Sequence, residues 1–317
     1  MSEDSTKVAG VDVGKAWLDT AALKLADRSR VGNDEAGWAT LAAWLKARGI
    51  ELVGMEATGG YERGLAAALR DAGFRVRVLQ PGQVRAYAMF SLRRAKTDKM
   101  DADLIAQATA ASLGHDHAPD RRLEPLTERL TLIEQVEEDM VRAKTRLESF
   151  RQPRQRDLLQ AEILRLKAWR RDELKALLAD LKALPDMARR LELALSVPGV
   201  GPRTALALIL RMPELETITR EQAASLAGLA PFNRDSGKQQ GSRHIHGGRT
   251  RLRTSLYAAA LPAAFRWNSA LITLYKRLTL NGKPHKLALV ACARKLLTFV
   301  NTVLQRGRPW LSANDAA

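Results

Sequence analysis

The sequence predicts an α/β domain at the front of the chain followed by a mostly helical remainder, and three patterns carry that expectation. Short apolar runs bounded by glycine alternate with helical stripes as far as about residue 90. From about Arg121 to Leu184 the composition shifts to charged residues, Leu and Ala, with apolar positions at threes and fours. The last third reads as helices interrupted by two glycine-rich segments, the second of them crowded with arginine. The expected divisions are residues 1–118, 119–190 and 191–317.

Lys7-Val-Ala-Gly-Val-Asp-Val13 reads as a strand ending at Asp12, with Gly14 and Lys15 in a turn. Trp17 to Lys24 then makes the second strand of a hairpin and Arg28 to Gly32 a third. Asn33 is the expected cap of a helix running to about Arg48, whose Trp38, Leu41, Ala42 and Leu45 form one stripe. Glu51 to Glu56 is a short buried-type strand that again ends in a carboxylate. A helix from Glu62 to Ala72, a strand from Arg75 to Leu79 and a helix after Pro81 complete an α/β sheet of mixed strand directions.

Asp12 and Glu56 thus fall at the C-terminal ends of strands, the edge where open α/β sheets gather their sites. Past that sheet, Thr97-Asp-Lys-Met-Asp-Ala-Asp103 packs three carboxylates into six residues. On a helix starting near Thr97, Asp98 and Asp101 share a face, whereas Asp103 is turned roughly 140° from Asp98. Like charges so placed repel unless a cation lies between them. Brought together, Asp12, Glu56, Asp98 and Asp101 would form an all-oxygen site suited to Mg²⁺ or Mn²⁺ acting on a phosphodiester. Taken singly, Asp12 also reads as a turn residue before Gly14, and Glu56 as a capping acid before Thr58-Gly-Gly60.

Charge points the same way. Lys and Arg number 51 against 35 Asp and Glu, a net of +16, so a polyanion is the expected partner. Cys292 is the single cysteine, which excludes intramolecular disulfides and makes cysteine-based zinc sites implausible. No apolar run approaches the ~18 residues needed to span a bilayer, so a soluble cytoplasmic protein with no membrane partner is expected.

In the middle segment, Leu123, Leu126, Leu130, Ile133, Met140 and Leu147 form one helical seam, and Leu159, Ile163, Leu166, Leu174, Leu177 and Leu181 resume it beyond Pro153. Two long helices joined near Phe150 to Pro153 are expected. The first, at ~45 Å, needs a partner, either a coiled coil between subunits or a hairpin on its own chain. Farther on, Val197-Pro-Gly-Val-Gly-Pro-Arg203 looks like a helix-hairpin-helix in which Gly199 and Gly201 let backbone N–H groups approach a phosphate. Residues 232–253 then carry Arg234, Lys238, Arg243, Arg249, Arg251 and Arg253 against Asp235 alone, a phosphate-binding loop by default. The same loop holds Ser236, Ser242, His244 and His246. The histidines suit proton shuttling or phosphate contact, and Ser236 suits a turn or a nucleophile.

Val8-Ala-Gly-Val-Asp-Val-Gly-Lys15, Gly54-Met-Glu-Ala-Thr-Gly-Gly-Tyr61 and Lys96-Thr-Asp-Lys-Met-Asp-Ala-Asp103 closely resemble three signatures of the DEDD group of bacterial insertion-sequence transposases. That group is related to the pilin-gene invertase and has an N-terminal domain similar to the RuvC resolvase. The resemblance implies an RNase H-like fold and carries the acidic tetrad onto Asp12, Glu56, Asp98 and Asp101, with Asp103 outside it. Gly228-Leu-Ala-Pro231 through Asp-Ser-Gly237, then Gly247-Gly-Arg249 through Leu256-Tyr257, resembles the same group's C-terminal domain and places its DNA-attacking serine on Ser236. It further implies a dimerising coiled coil, a tetramer built from dimers, donor and target DNA as substrates, and a structured bridge RNA as guide. The expected nucleic-acid contacts are Lys96, Gly199, Gly201, Arg234, Lys238, Arg243, Arg249, Arg251 and Arg253. A metal-dependent hydrolytic nuclease and a non-enzymatic nucleic-acid scaffold are the competing readings.

Overall fold

The computed structural model describes residues 7–91, 98–112, 120–232 and 244–311, the side chains of residues 98–100 and 232 excepted. The chain divides into two compact units, residues 1–118 and 119–317.

Unit 1 is built on a five-stranded sheet of order β3-β2-β1-β4-β5. Its strands are β1 (Val8–Val13), β2 (Trp17–Ala22), β3 (Arg28–Gly32), β4 (Leu52–Glu56) and β5 (Arg75–Leu79). β2 runs antiparallel to both its neighbours, and β1, β4 and β5 are parallel. The mixed α/β architecture expected from the sequence is therefore present. Helices α1 (Glu35–Ala47) and α2 (Glu62–Asp71) cover one face of the sheet, where Ala9, Val11, Val13, Val53 and Met55 pack with Leu41, Leu45, Leu65 and Leu69. Each fully buried leucine there contributes roughly 1.5–3 kcal/mol of transfer free energy. The α1 cap is Asp34, whose carboxylate accepts from the Gly37 N–H at 2.8 Å. Asn33, the residue expected in that role, instead donates to the carbonyls of Gly14 and Tyr61 and accepts from the Trp38 indole.

The other face is crossed by α4 (Asp98–Ala111), with α3 (Pro81–Phe90) packed beside it. Strand pairing aligns Arg28, Ala21, Gly10, Gly54 and Arg77 in one transverse row. Helix α4 lies along this row. Its Asp103 pairs with Arg28, its Ala102 and Ala106 backbone sits on Gly10, Thr109 sits on Gly54, and Arg77 donates to the carbonyls of Thr109 and Ser112 at 3.0 and 2.7 Å. Only glycine admits so close a crossing. A Cβ on Gly10 would stand 2.2 Å from the Ala102 carbonyl oxygen, and one on Gly54 1.7 Å from Thr109 Oγ1.

Unit 2 begins with α5 (Glu124–Ser149) and α6 (Pro153–Lys182), joined at the expected place. Arg156 closes the turn by donating to the Leu147 and Phe150 carbonyls, both at 3.0 Å. The two helices pack on each other, and Leu126, Leu130, Ile133, Leu177 and Leu181 enter the same core as the helices that follow. Residues 119–190, expected to form a segment of their own, thus share one hydrophobic core with residues 191–317. That core also takes in α7 (Pro185–Ser196), α8 (Pro202–Arg211), α9 (Arg220–Leu226), α10 (Thr250–Pro262), α11 (Ser269–Leu280) and α12 (His285–Arg306). A short ribbon pairs β6 (Pro231–Phe232) with β7 (His244–Ile245). By length and composition α12 is apolar enough to cross a bilayer, which corrects the expectation that no such run exists. Its Leu289, Cys292, Ala293, Leu296, Leu297 and Val300 are all buried in the unit 2 core, so its apolar character serves packing. Burial also pushes the Cys292 thiol up to about 11.

Candidate active site

Asp12 and Glu56 are neighbours across the parallel β1–β4 pair. Val11 is opposite Met55, and the two acids are the next residues on the two strands. Val11, Val13 and Met55 turn their side chains into the α1–α2 core, so alternation sends Asp12 and Glu56 to the face that α4 crosses. Both are half-buried, two residues beyond Gly10 and Gly54 toward the C-terminal edge. Asp101 immediately precedes Ala102, whose carbonyl oxygen lies over Gly10. Asp103, held by Arg28 on the row below that edge, is about 160° around the helix from Asp101. The same packing that engages Asp103 therefore leaves Asp101 on the opposite flank of α4. The backbone of Asp98 opens α4 one turn earlier.

A further carboxylate, missed in the sequence, joins this edge. Asp19 of β2 is registered directly opposite Asp12, and like charges so placed oppose pairing. Arg30 of β3, its partner on the other side, approaches Asp19 at 3.7 Å. Counting back from the β1–β2 turn would have found it, since Val13 opposite Leu18 puts Asp12 opposite Asp19. Behind Glu56, the loop of residues 57–61 is organised by Glu62, which accepts from the N–H groups of Thr58 and Gly60 at 3.1 and 2.9 Å and from Thr58 Oγ1 at 3.2 Å. Burial raises the Glu62 carboxyl, but these backbone hydrogen bonds outweigh burial and hold it below the ordinary carboxylate value. Among the described residues no group of three or more His, Cys, Asp or Glu stands ready to hold a metal ion; the Asp98 side chain, like Lys96, lies outside them.

In unit 2 the helix-hairpin-helix is present as α7, a Gly199–Gly201 turn and α8. Gly199 has φ +97°, and a Cβ there would meet the Ala263 Cβ at 2.4 Å, so the turn requires glycine. Gly201 is the α8 cap and Pro202 its first residue. Asn268 ties the turn down by donating to the Pro198 carbonyl at 2.9 Å. One step into α8, Arg203 enters a cluster centred on Glu134 of α5. Glu134 is 4% exposed and faces Arg203 at 3.3 Å, Arg211 at 2.5 Å and Arg251 at 3.2 Å. Glu137 receives Arg203 at 3.0 Å and Arg170 at 2.6 Å. For Glu137, too, burial acts upward and is outweighed, here by the Arg203 and Arg170 guanidiniums, so its carboxyl lies below the ordinary value.

The expected basic loop begins and ends at the β6–β7 ribbon, where Phe232 pairs with His244. Ser236, Arg234, Lys238 and Arg243 lie outside the described residues. Below the ribbon, Gly228 and Gly248 cross so closely that a Cβ on Gly248 would come within 2.2 Å of the Gly228 nitrogen. The three later arginines brace this neck. Arg249 forks onto Glu214 at 2.7 and 2.5 Å, Arg251 reaches Glu134, and Arg253 donates to the Gly247 carbonyl at 2.5 Å. These three expected phosphate contacts thus already have protein partners that orient them. His244 and His246 are exposed.

Comparison with known proteins agrees with this layout. A family model described as a transposase, the DEDD domain of the IS110 type, matches residues 9–152. A second, described as the transposase IS116/IS110/IS902 family, matches residues 191–276. The chain is 26% identical to the pilin gene-inverting protein of Moraxella bovis over 323 residues, covering 95% of this chain and 96% of that one, and the counterpart from Moraxella lacunata matches over the same span at the same identity. It is also 31% identical over 138 residues to the insertion element IS110 uncharacterized 43.6 kDa protein of Streptomyces coelicolor, covering 43% of this chain and 34% of that one. With both of its characteristic domains matched in order, the chain belongs to the IS110-type DEDD transposases and is a DNA-recombining enzyme.

Proposed function

We propose that this transposase cuts and rejoins DNA through a covalent phosphoserine on Ser236, assisted by a divalent metal, Mg²⁺ or Mn²⁺, at Asp12, Glu56, Asp98 and Asp101. The observation that carries the metal half is the common face and edge shared by Asp12 and Glu56, the face that α4 crosses. The donor chemistry fits a hard cation, since every member is a carboxylate. The strand order 3-2-1-4-5 with only β2 reversed supports an RNase H-like, RuvC-like unit at residues 1–118. When bound, the metal would polarise phosphate oxygens and stabilise charge on the entering and leaving oxygens.

The Ser236 hydroxyl attacks phosphorus, losing its proton, and the bond from phosphorus to the departing deoxyribose oxygen breaks as that oxygen is protonated. A hydroxyl of the new strand end then reverses the step, breaking the serine–phosphorus ester and restoring a phosphodiester without external energy. Arg249, Arg251 and Arg253, fixed at the neck of the loop, would orient the phosphate, with Arg234, Lys238 and Arg243 from the loop itself and Lys96 beside the acids. The Gly199–Gly201 turn would take a further DNA phosphate. Relatives named for inverting a gene support rejoining over simple cutting, because inversion needs every cut end resealed.

The working assembly in this proposal is a tetramer built from two dimers in the cytoplasm. Residues 119–190 serve as its coiled-coil dimerisation segment, residues 191–317 carry the serine, and a bridge RNA selects donor and target DNA. The test is Ser236→Ala beside Asp12→Ala and Asp98→Ala on supercoiled DNA bearing the element ends. Ser236→Ala should abolish protein–DNA adducts and strand exchange. If it spares metal-dependent nicking at wild-type rate, the hydrolytic nuclease is the better reading. If the two aspartate variants leave every DNA reaction intact, the protein is a scaffold.

A further inference from the structure

From Ser236 to Asn314 the sequence contains no Asp or Glu and 14 Lys or Arg. Within this stretch one exposed surface combines that charge with aromatic rings. A single π-helical turn, Ala263–Trp267, follows α10, a distortion that recurs at functional sites. It presents Phe265, Arg266 and Trp267 outward, the two rings 50% and 60% exposed. Phe265 stacks on Tyr275 of α11 at 4.8 Å between centroids, and Tyr275 hydrogen-bonds His285 Nδ1 at the start of α12 at 2.7 Å. Beneath them Asn268 is buried, capping α11 and donating to the Pro198 carbonyl. Phe265 therefore sits on a rigid platform and loses little freedom when something stacks on it.

Around the platform stand Arg266, Lys276, Arg277, Lys283 and Lys286, all exposed. None of the five pairs with a carboxylate among the described residues. That separates them from Arg249 and Arg251, which are held by acids. A surface of one sign opposes its own copy in a two-fold contact, whereas rings among unpaired cations are what a nucleic-acid strand with unstacked bases requires. A duplex offers phosphates but no free base faces.

We propose that the π turn and the α11–α12 corner bind an unpaired stretch of the DNA substrate, a base stacking on Phe265 and phosphates lying against the five cations. This assignment rests on the chain being a DNA recombinase and not on the role of Ser236. The test therefore uses full-length protein carrying Ser236→Ala, so that binding is read without chemistry.

Affinities of dT20, a 20-base-pair duplex and rU20 are measured by fluorescence anisotropy at several salt concentrations. Adding Phe265→Ala should weaken dT20 binding ~5- to 100-fold with its salt slope retained, and leave the duplex unchanged. Lys276→Gln, Arg277→Gln and Lys283→Gln together should lower the slope of log K against log salt for dT20 by about 2. Unaltered dT20 affinity in the ring variant, an equal loss on duplex, or a loss confined to rU20 would each overturn the assignment. So would a shift in sedimentation showing that the rings hold two protein copies together. The replaced ring is half exposed, and an unchanged melting temperature verifies that the fold is intact.

Discussion

Replacing Gly10 by alanine tests the geometry on which the carboxylate edge depends. The added Cβ would stand 2.2 Å from the Ala102 carbonyl oxygen, 2.3 Å from the Ala106 nitrogen and 2.9 Å from the Ala106 Cα, where ordinary contact begins at 3.4 Å. All three atoms are backbone, so no rotamer change relieves the clash, and α4 must lift from the sheet by about 1 Å. Overpacking of this kind costs about 1–3 kcal/mol, and the upper end applies because a whole helix moves. At ~3 kcal/mol the melting transition of residues 1–118 should fall by roughly 10 °C. A displacement of about 1 Å in a catalytic group costs ~100-fold in rate, and α4 carries Asp101 and Asp98 of the proposed metal site. Strand exchange should therefore drop by about that factor even at temperatures where the variant is folded. Gly82→Ala in α3 is the matched control. Nothing lies within 4 Å of its Cβ, and alanine in a helix is favoured over glycine by up to ~1 kcal/mol. Scanning calorimetry and a strand-exchange assay at 25 °C read both quantities. A Gly10→Ala protein that melts and recombines like the parent would refute the claim that α4 is seated on the Gly10–Gly54 row.

Two further predictions concern charge. Glu134→Ala should destabilise unit 2 by about 1–3 kcal/mol in urea unfolding, because Arg211 loses its carboxylate while Arg203 keeps Glu137 and Arg251 keeps Glu138; Glu134→Gln, which keeps shape and hydrogen bonding, should cost clearly less, and equal losses would show that shape alone matters there. Stability should also fall in acid. The Glu62 and Glu137 carboxyls lie below their ordinary value of 4.5 in the fold, so the unfolded chain takes up protons first. Their contribution is complete above about pH 4.5 and is lost as pH falls through their lower native values. Urea midpoints should drop between pH 6 and pH 3.5, and Glu62→Gln with Glu137→Gln should flatten that drop; an unchanged slope in the double variant would contradict the assignment.

Local periodicity was enough to reveal the strands of unit 1, the acids at the ends of β1 and β4, the opposed phases of Asp101 and Asp103, and the α5–α6 break at Pro153. Each of these depends on residues a few positions apart, whose spacing repeats at 2 or 3.6 and can be read along the chain. Register and partnership cannot be read that way. That Asp19 faces Asp12, that Asp34 rather than Asn33 caps α1, and that Gly10 and Gly54 are where α4 crosses the sheet all depend on which strands and helices pack together. The same holds for the arginines after the serine loop. Their number announced a polyanion partner, but only the fold brings Glu134 and Glu214, from elements far away in sequence, against Arg251 and Arg249, while the cations of the α11–α12 corner meet no carboxylate among the described residues. Composition sets the total charge; the packing of distant elements decides which charges are held by a protein partner and which face solvent.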